Sequence, residues 1–235
     1  DKLKKASDRL SKLGVFSSVA IREANELAPD GTVPLKISVA EGKHRYLGLG
    51  AQFSTTEGAG LQGYWGHRNL FGKAEALRVE ASINRLGQTS DFNHIDVAAG
   101  VSFTKPGIFN PDTTLNASIK GKSENPDSYN SKSITAFVGF DYELNDTDTA
   151  KLGLEVDFTR VEDAFGEKNY LTTSIPVAFE RDTRDNKLDP TEGFTASISA
   201  KPSYEALNST FFTNVEGAVT GYYSLGENDQ VVFAG

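Results

Sequence analysis

The feature that most constrains this chain is a strict alternation of apolar and polar residues, which begins near Tyr46 and recurs along the rest of the sequence. In residues 77–84, Leu, Val, Ala and Ile alternate with Arg, Glu, Ser and Asn, and residues 152–159 repeat the pattern. A period of two places successive side chains on opposite faces of a β-strand. About eleven such runs follow one another, each roughly 9–13 residues long, so the sequence predicts an all-β fold here.

The composition of the two faces and the length of the runs favour a membrane. The apolar faces carry no charge, whereas the other faces mix charged residues with Gly and Ser. A tilted strand needs about 9–11 residues to cross a bilayer, whereas ordinary strands have about 5–6. Aromatic residues near the ends of the runs are expected to form interfacial girdles: Phe92, Phe103, Phe109, Tyr142, Phe165, Tyr170, Phe179 and Phe194. We therefore predict a transmembrane antiparallel β-barrel in a bacterial outer membrane.

The connections between the runs fall into two sets. The turns after the even-numbered runs are 69–73, 106–112, 145–149 and 181–193, and those after the odd-numbered runs are 57–60, 87–93, 123–131 and 164–168. Successive antiparallel strands place alternate turns at opposite ends of a barrel. If the N-terminal segment is periplasmic, the first set faces the periplasm.

The first residues follow a different pattern. Leu3, Ala6, Leu10 and Leu13 recur at helical spacing, and Gly14 follows as a stop signal. Strand-like runs at 16–24 and 33–40 flank the turn sequence 29–31. Residues 1–43 are thus predicted to form a small α+β unit before the barrel segment, 44–235. With neither an initiator Met nor a signal peptide, the chain is expected to be an internal piece of a longer precursor.

Composition excludes several classes of function. The net charge of -8 argues against a nucleic-acid surface, and the absence of cysteine excludes disulfide and thiol chemistry. The glycine pattern of 58–63 precedes a strand rather than a helix, so it lacks the anion site of a dinucleotide-binding motif. The acidic run 182–192 does not have calcium-loop spacing.

No chemistry is predicted from the remaining polar residues. His44, His67 and His94 lie on or beside three different strands, without a local metal-ligand pair. Pairs such as Arg78/Glu80 and Glu155/Asp157 are better explained as charges lining a lumen than as an acid–base site. We expect no catalytic, cofactor or metal site, and no enzyme activity.

Three segments carry a family resemblance. Residues 10–21 resemble the second helix and following strand of a POTRA domain, while 60–72 and 181–194 resemble turns of the POTRA-plus-barrel superfamily of assembly and translocation proteins, which includes the BamA and TamA families. The turn 104–112 favours the TamA family. The motif positions carried over are His67, Arg68, Asn69, Leu70, Phe71, Gly72, Arg181, Asp182, Arg184, Asp185, Asn186, Asp189, Pro190 and Gly193.

The resemblance implies a barrel of about sixteen strands, of which this chain would hold strands one to ten and the start of eleven, after the end of a POTRA domain. It implies insertion or translocation of unfolded β-barrel or autotransporter clients through a lateral seam, with outer-membrane lipids as surroundings and an inner-membrane or periplasmic partner on the POTRA side. The expected client-pairing strand is Tyr46, Leu47, Gly48, Leu49, Gly50, Ala51, Gln52 and Phe53.

Two points stay open on the sequence. Gly48 and Gly50 either thin the packing of the seam or relieve crowding in a curved strand. A pore that secretes one dedicated partner, or a passive porin, are the alternative functions.

Overall fold

The computed structural model describes residues 2–24, 26, 28–55, 58–87, 95–126, 128–225 and 231–234. The N-terminal unit contains helix α1 (Lys2–Lys12) and the antiparallel strands β1 (Phe16–Glu23) and β2 (Leu35–Glu41). The helix ends where predicted, because Gly14 adopts a positive φ of 68°, which ends a helix at little steric cost.

The rest of the described chain is one antiparallel sheet in which strands pair with their sequence neighbours, except that β10 and β11 both lie between β9 and β12. Its strands are β3 (Arg45–Ser54), β4 (Gly58–His67), β5 (Ala76–Leu86), β6 (Asp96–Pro106), β7 (Thr113–Glu124), β8 (Tyr129–Glu143), β9 (Asp148–Asp163), β10 (Gly166–Ser174), β11 (Val177–Asp182), β12 (Gly193–Glu205), β13 (Thr210–Leu225) and β14 (Val231–Ala234). This meander confirms the predicted order of runs.

One predicted run is interrupted in the structure. Both β10 and β11 pair with β9 on one side and with β12 on the other, in a single unbroken register. The break falls at Ile175 and Pro176, because proline has no N–H for the ladder. The twelve strands therefore occupy eleven positions, with β11 continuing β10.

Two predicted details are wrong. The runs were expected to have about 9–13 residues, but β8, β9 and β13 have 15, 16 and 16, because the β8–β9 hairpin continues as a paired ribbon to Tyr129 and Asp163. Tyr170 does not join a lipid-facing girdle: it is opposite Thr159 and lines a polar cavity with Asp157. Tyr142, Phe179 and Phe194 do lie on the apolar face, and Phe92 lies outside the described residues.

The sheet has no hydrophobic core of its own. Among the described residues, Val15 and Ala74 are the buried hydrophobic ones, while the apolar face of the sheet is open: Leu49 is 82% exposed and Ile119 61%. A charge-free face of this extent is stable against lipid rather than water. No helix in the described part of the chain has the length and apolar character needed to cross a membrane.

The N-terminal unit contacts one end of the sheet. Arg9 of α1 forms an ion pair with Asp112 in the β6–β7 turn, and Lys12 Nζ lies 3.2 Å from Glu143 Oε1 at the end of β8. The two contact points are themselves joined, since Glu143 N donates to Asp112 O at 2.9 Å. The helix thus lies beside turns that follow even-numbered runs, which the sequence predicts to be on the same side of the barrel as the N-terminal segment.

Candidate functional site

Strand β3 forms one edge of the described sheet, with a partner on one side only. Its ten residues pair with β4 from Arg45 opposite His67 to Ser54 opposite Gly58, without a shift in register. Leu47, Leu49 and Phe53 are 71, 82 and 78% exposed, more than most apolar side chains of the wall, because no neighbouring strand covers them. The strand predicted to meet clients is therefore the terminal strand on this side of the described sheet.

The hydrogen-bonding pattern identifies which backbone groups face this edge. Arg68 N donates to His44 O at 2.8 Å, which makes residue 44 a hydrogen-bonded partner of β4. Because hydrogen-bonded and non-bonded positions alternate in an antiparallel pair, the even-numbered residues of β3 bond to β4. The N–H and C=O groups of Leu47, Leu49, Ala51 and Phe53 therefore point to the free side.

The polar face beside this edge is filled by aromatic rings that lie over glycines. A Cβ at Gly48 would lie 2.2 Å from Tyr64 Cζ, and a Cβ at Gly66 would lie 2.2 Å from Tyr46 Cζ. The two rings are 6.0 Å apart, and Arg78 stacks over Tyr64 at 3.9 Å. The glycines therefore relieve crowding, which supports one of the two readings left open by the sequence.

Further along β3 the same face is polar. Gln62 lies over Gly50, where a Cβ would be 2.9 Å from Gln62 Nε2. Gln52 Nε2 donates to Asn84 Oδ1 at 3.0 Å, across the intervening strand. Arg78 Nε, in turn, donates to Glu80 Oε2 at 2.9 Å, as expected of paired lumen charges.

The first motif turn, residues 68–75, is held by its own side chains. Asn69 Oδ1 accepts from Ala74 N at 2.9 Å, His67 Nδ1 accepts from Asn69 N at 3.2 Å, and Leu70 N donates to Glu75 O at 2.8 Å. Gly72 has a φ of 88°. Arg68 stacks over Tyr46 at 4.8 Å, while Phe71 is 73% exposed, so the motif residues build a rigid turn with an apolar tip.

Glu75, which sequence reasoning missed, anchors this turn. Its side chain is 2% exposed; Oε2 accepts from Lys73 N at 2.9 Å and Oε1 lies 3.3 Å from Lys105 Nζ. Burial raises the pKa of Glu75, but the backbone hydrogen bonds and the Lys105 ammonium outweigh it and hold the pKa below its ordinary value. No local pattern reveals this, because Lys105 is thirty residues away.

The structure brings together two histidines that the sequence kept apart. The rings of His44 and His67 lie 5.8 Å from each other, on the two strands of the first hairpin. His94 lies outside the described residues. Within the described ranges no group of three metal-ligating side chains comes together, and His67 Nδ1 is already an acceptor of a backbone hydrogen bond.

The second motif turn connects β11 to β12 and begins with two bidentate ion pairs. Arg181 Nε and Nη2 donate to the two carboxylate oxygens of Asp148 at 2.7 Å each. Arg184 Nε and Nη2 likewise donate to the two oxygens of Asp182 at 2.9 Å. Lys187 Nζ also lies 3.4 Å from Asp182. Bidentate pairs fix geometry as well as charge, so the turn is ordered by its own charges.

The remainder of this turn is closed by Asp185. Its Oδ1 accepts from Thr191 N and Glu192 N at 3.0 and 3.1 Å, and its Oδ2 from Thr191 Oγ1 at 2.7 Å. The Thr191 hydroxyl, followed by the two amides, lowers the pKa of Asp185. Gly193 has a φ of 100° and leaves no space for a Cβ, which would lie 2.4 Å from Thr183 O. The structured polar turn predicted from the acidic run is confirmed.

The other motif residues of this turn lie towards solvent. Asn186 Oδ1 accepts from Leu188 N at 3.0 Å. Asp189 is exposed and Pro190 is half-buried. The whole turn therefore presents a rigid polar loop beyond the end of the wall.

Comparison with known proteins identifies relatives of this chain. It is 26% identical over 204 residues to the outer membrane protein assembly factor BamA of Nitratidesulfovibrio vulgaris, which covers 82% of this chain and 24% of that protein. The chain thus spans about a quarter of the length of the curated relative it matches.

The fold also matches a solved structure. The crystal structure of BamA from Haemophilus ducreyi lacking POTRA domains 1–3 superposes with a TM-score of 0.73 at 16% identity, over 99% of this chain and 47% of that one. The wall described above is accordingly a segment of a transmembrane β-barrel of the bacterial outer membrane. The model of the Omp85 superfamily domain matches residues 69–235, and the chain belongs to the Omp85 superfamily.

Proposed function

We propose that the protein containing this chain is an outer-membrane assembly factor, whose first barrel strand, β3, pairs with strands of β-rich clients while they enter the membrane. The reaction is an exchange of backbone hydrogen bonds and involves no covalent catalysis. The observation that carries the proposal is the edge of β3, where the backbone groups of Leu47, Leu49, Ala51 and Phe53 face away from β4.

An unpaired strand edge is a strong binding surface in a membrane. Each unsatisfied N–H or C=O group is costly in hydrocarbon, so an incoming strand that satisfies several of them gains free energy at each rung. The side chains of this edge also suit a client, since the outward positions Leu47, Leu49 and Phe53 are apolar, while the inward face at Gly48 and Gly50 is already covered by Tyr64 and Gln62. A client strand with matching alternation would continue the wall.

The N-terminal unit supports the same function. We propose that residues 1–43 are the end of a POTRA domain and lie in the periplasm, where they guide clients and contact a periplasmic or inner-membrane partner. The ion pairs of Arg9 and Lys12 place α1 beside the β6–β7 and β8–β9 turns, at the end of the barrel where His44 leads into β3. Clients would therefore meet this unit before they reach the edge strand.

The finer assignment within the superfamily remains a prediction. The relatives found are BamA proteins, whereas the turn 104–112 favours a TamA-type protein with autotransporter clients. In the structure this turn is ordered by Asn110, whose Oδ1 accepts from Asp112 N at 3.0 Å and from Thr113 Oγ1 at 2.9 Å. The number of POTRA domains in the full-length protein would separate the two families.

Site-specific crosslinking tests the proposal. The chain contains no cysteine, so Leu49→Cys in the full-length protein carries one reactive position within it. Ile119→Cys is the matched control, because Ile119 is an exposed apolar residue of β7, which has neighbours on both sides. Crosslinks of a stalled client to position 49 and not to 119 are expected. Equal crosslinking at both positions would contradict pairing at β3.

A further inference from the structure

Four neighbouring strands carry a glycine or proline at the same level of the barrel wall. These residues, Gly139, Gly153, Pro176 and Pro202, are named the Gly–Pro row. Gly139 of β8 is the direct partner of Gly153 in β9. Gly153 N donates to Pro176 O at 2.9 Å, and Ile175 N donates to Pro202 O at 3.0 Å. The row therefore crosses β8, β9, the β10–β11 strand and β12.

The two prolines remove one hydrogen bond from each side of the β10–β11 strand. In an antiparallel pair, two residues of a hydrogen-bonded position exchange both N–H···O bonds. Each proline accepts one bond through its carbonyl group, from Gly153 N to Pro176 O and from Ile175 N to Pro202 O. Neither proline can donate the return bond, because proline has no N–H. The carbonyl groups of Gly153 and Ile175 thus lack their ladder donors at adjacent points of the wall.

The two glycines of the row bring no side chain of their own to this level of the wall. The ring of Phe137 lies over both: a Cβ at Gly139 would be 2.6 Å from its Cζ, and one at Gly153 would be 2.5 Å from its Cε2. A cavity of about 280 Å³ lies next to the row on the polar face, with Lys151 and Lys201 in its lining. Gly153 and Pro176 themselves belong to the lining of this cavity.

The position of these prolines is unusual for a sheet. Proline in β-sheets is found at edges, at strand ends or at bulges, and Pro106, the last residue of β6, follows that rule. Pro202 instead lies within β12, and Pro176 interrupts the β10–β11 strand, and both strands have partners on both sides. A sequence that breaks a local rule within an otherwise regular element marks a site with a separate role.

We propose that the Gly–Pro row is a built-in hinge of the barrel wall, at which the hydrogen bonds of the β10–β11 strand to β9 and to β12 open more readily than those between β7 and β8. Opening at this level would allow the two halves of the wall on either side of the β10–β11 strand to change their mutual angle without unfolding.

Hydrogen exchange on the full-length protein in lipid nanodiscs tests this hinge. Protection factors of the Gly153 and Ile175 amides are expected to be at least about tenfold lower than those of Lys120 and Thr135, a hydrogen-bonded pair of the regular β7–β8 ladder. Equal protection at the two levels would overturn the proposal, and this comparison needs no variant.

A second comparison assigns the cause. The double variant Pro176→Ala, Pro202→Ala supplies the missing donors and is expected to raise protection at Gly153 and Ile175 to the level of Lys120. Pro106→Ala, at a strand end, is expected to leave both unchanged. If the double variant folds and its exchange is the same as that of the wild type, the missing bonds are not the cause and the hinge is wrong.

Discussion

The phenol ring of Tyr64 occupies the space that a side chain at Gly48 would need, since a Cβ there would lie 2.2 Å from Tyr64 Cζ. The ring is fixed in this position by Arg78, which stacks over it at 3.9 Å, and by Tyr46, which lies over Gly66 in the same way. An aromatic ring that covers a cross-strand glycine stabilises register and curvature together. The first hairpin is thus held in place on its inner face, while the outer edge of β3 has no partner strand among the described residues.

Gly48→Ala is expected to destabilise this hairpin by about 1–3 kcal/mol, because the added methyl displaces the Tyr64 ring from its stacked position. Gly121→Ala is the control, since the nearest atom to a Cβ there is Ser133 O at 3.9 Å. Denaturant unfolding of the full-length protein in detergent measures both. The double variant Gly48→Ala, Tyr64→Ala should lose less stability than the sum of its single variants; strict additivity would contradict the contact.

Glu75→Gln is expected to loosen the turn of residues 68–75. The amide would direct its N–H₂ group either at Lys73 N or at the Lys105 ammonium, and both are donors. Limited proteolysis should cleave this turn faster than in the wild type. The control is Glu124→Gln, because Glu124 pairs with Lys122 at 2.5 Å at the end of a strand with its side chain 34% exposed. Identical cleavage in the two variants would show that Glu75 does not anchor the turn.

Removing the two cations of α1 is expected to release the N-terminal unit from the barrel. Arg9→Ala, Lys12→Ala breaks the pairs with Asp112 and Glu143, and about 1 M salt should have the same effect on the wild type by screening them. Protease access to residues 42–43, measured over time, reports the release. Lys4→Ala, an exposed position of the same helix, should behave as the wild type. Release that is independent of both salt and Arg9/Lys12 would show that other contacts hold the unit.

Much of this structure was predictable, and the failures have physical causes. Alternation predicted the strands, because one face of each is uniformly apolar, and the helix of residues 2–12 followed from the spacing of Leu3, Ala6 and Leu10. The interruption at Pro176 was missed because the apolar residues on both sides keep the same parity. Alternation depends on side chains alone, so it does not reveal where a strand loses a backbone N–H donor.

Long-range contacts were beyond the sequence for a different reason. The burial of Glu75 depends on the folded turn of residues 68–75 and on Lys105, which is distant in sequence. The approach of His44 to His67 depends on the register of β3 and β4. The turn of the acidic run, in contrast, was predicted as a structured polar turn from its sequence, and Asp185 and Gly193 hold it by local hydrogen bonds and a positive φ.

The turn of residues 183–192 is expected to lose order in acid. The pKa of Asp185 is lowered by the Thr191 hydroxyl and by the Glu192 and Thr191 amides. A carboxyl whose folded pKa is below its unfolded value of 3.8 stabilises the turn fully above that value, and the stabilisation is lost as the pH falls further towards the folded pKa. Protection of the Thr191 and Glu192 amides should therefore fall in this range in the wild type. In Asp185→Asn, protection of these two amides should already be low at pH 7 and should change little on acidification. If this variant titrates like the wild type, another group causes the effect.

The central claim is that clients pair with the free backbone groups of β3, and one substitution pair tests it most directly. Leu49→Pro removes an N–H that faces the edge and leaves every bond from β3 to β4 in place, whereas Leu49→Ala removes the side chain and keeps that N–H. The measurement is the rate at which a β-barrel client folds into liposomes that contain the full-length protein, with heat-modifiable migration confirming that each variant barrel is folded. Loss of one rung at the pairing step should slow client folding about tenfold in Leu49→Pro, with Leu49→Ala close to the wild type. Equal rates for Leu49→Pro and the wild type would contradict pairing of clients at this edge.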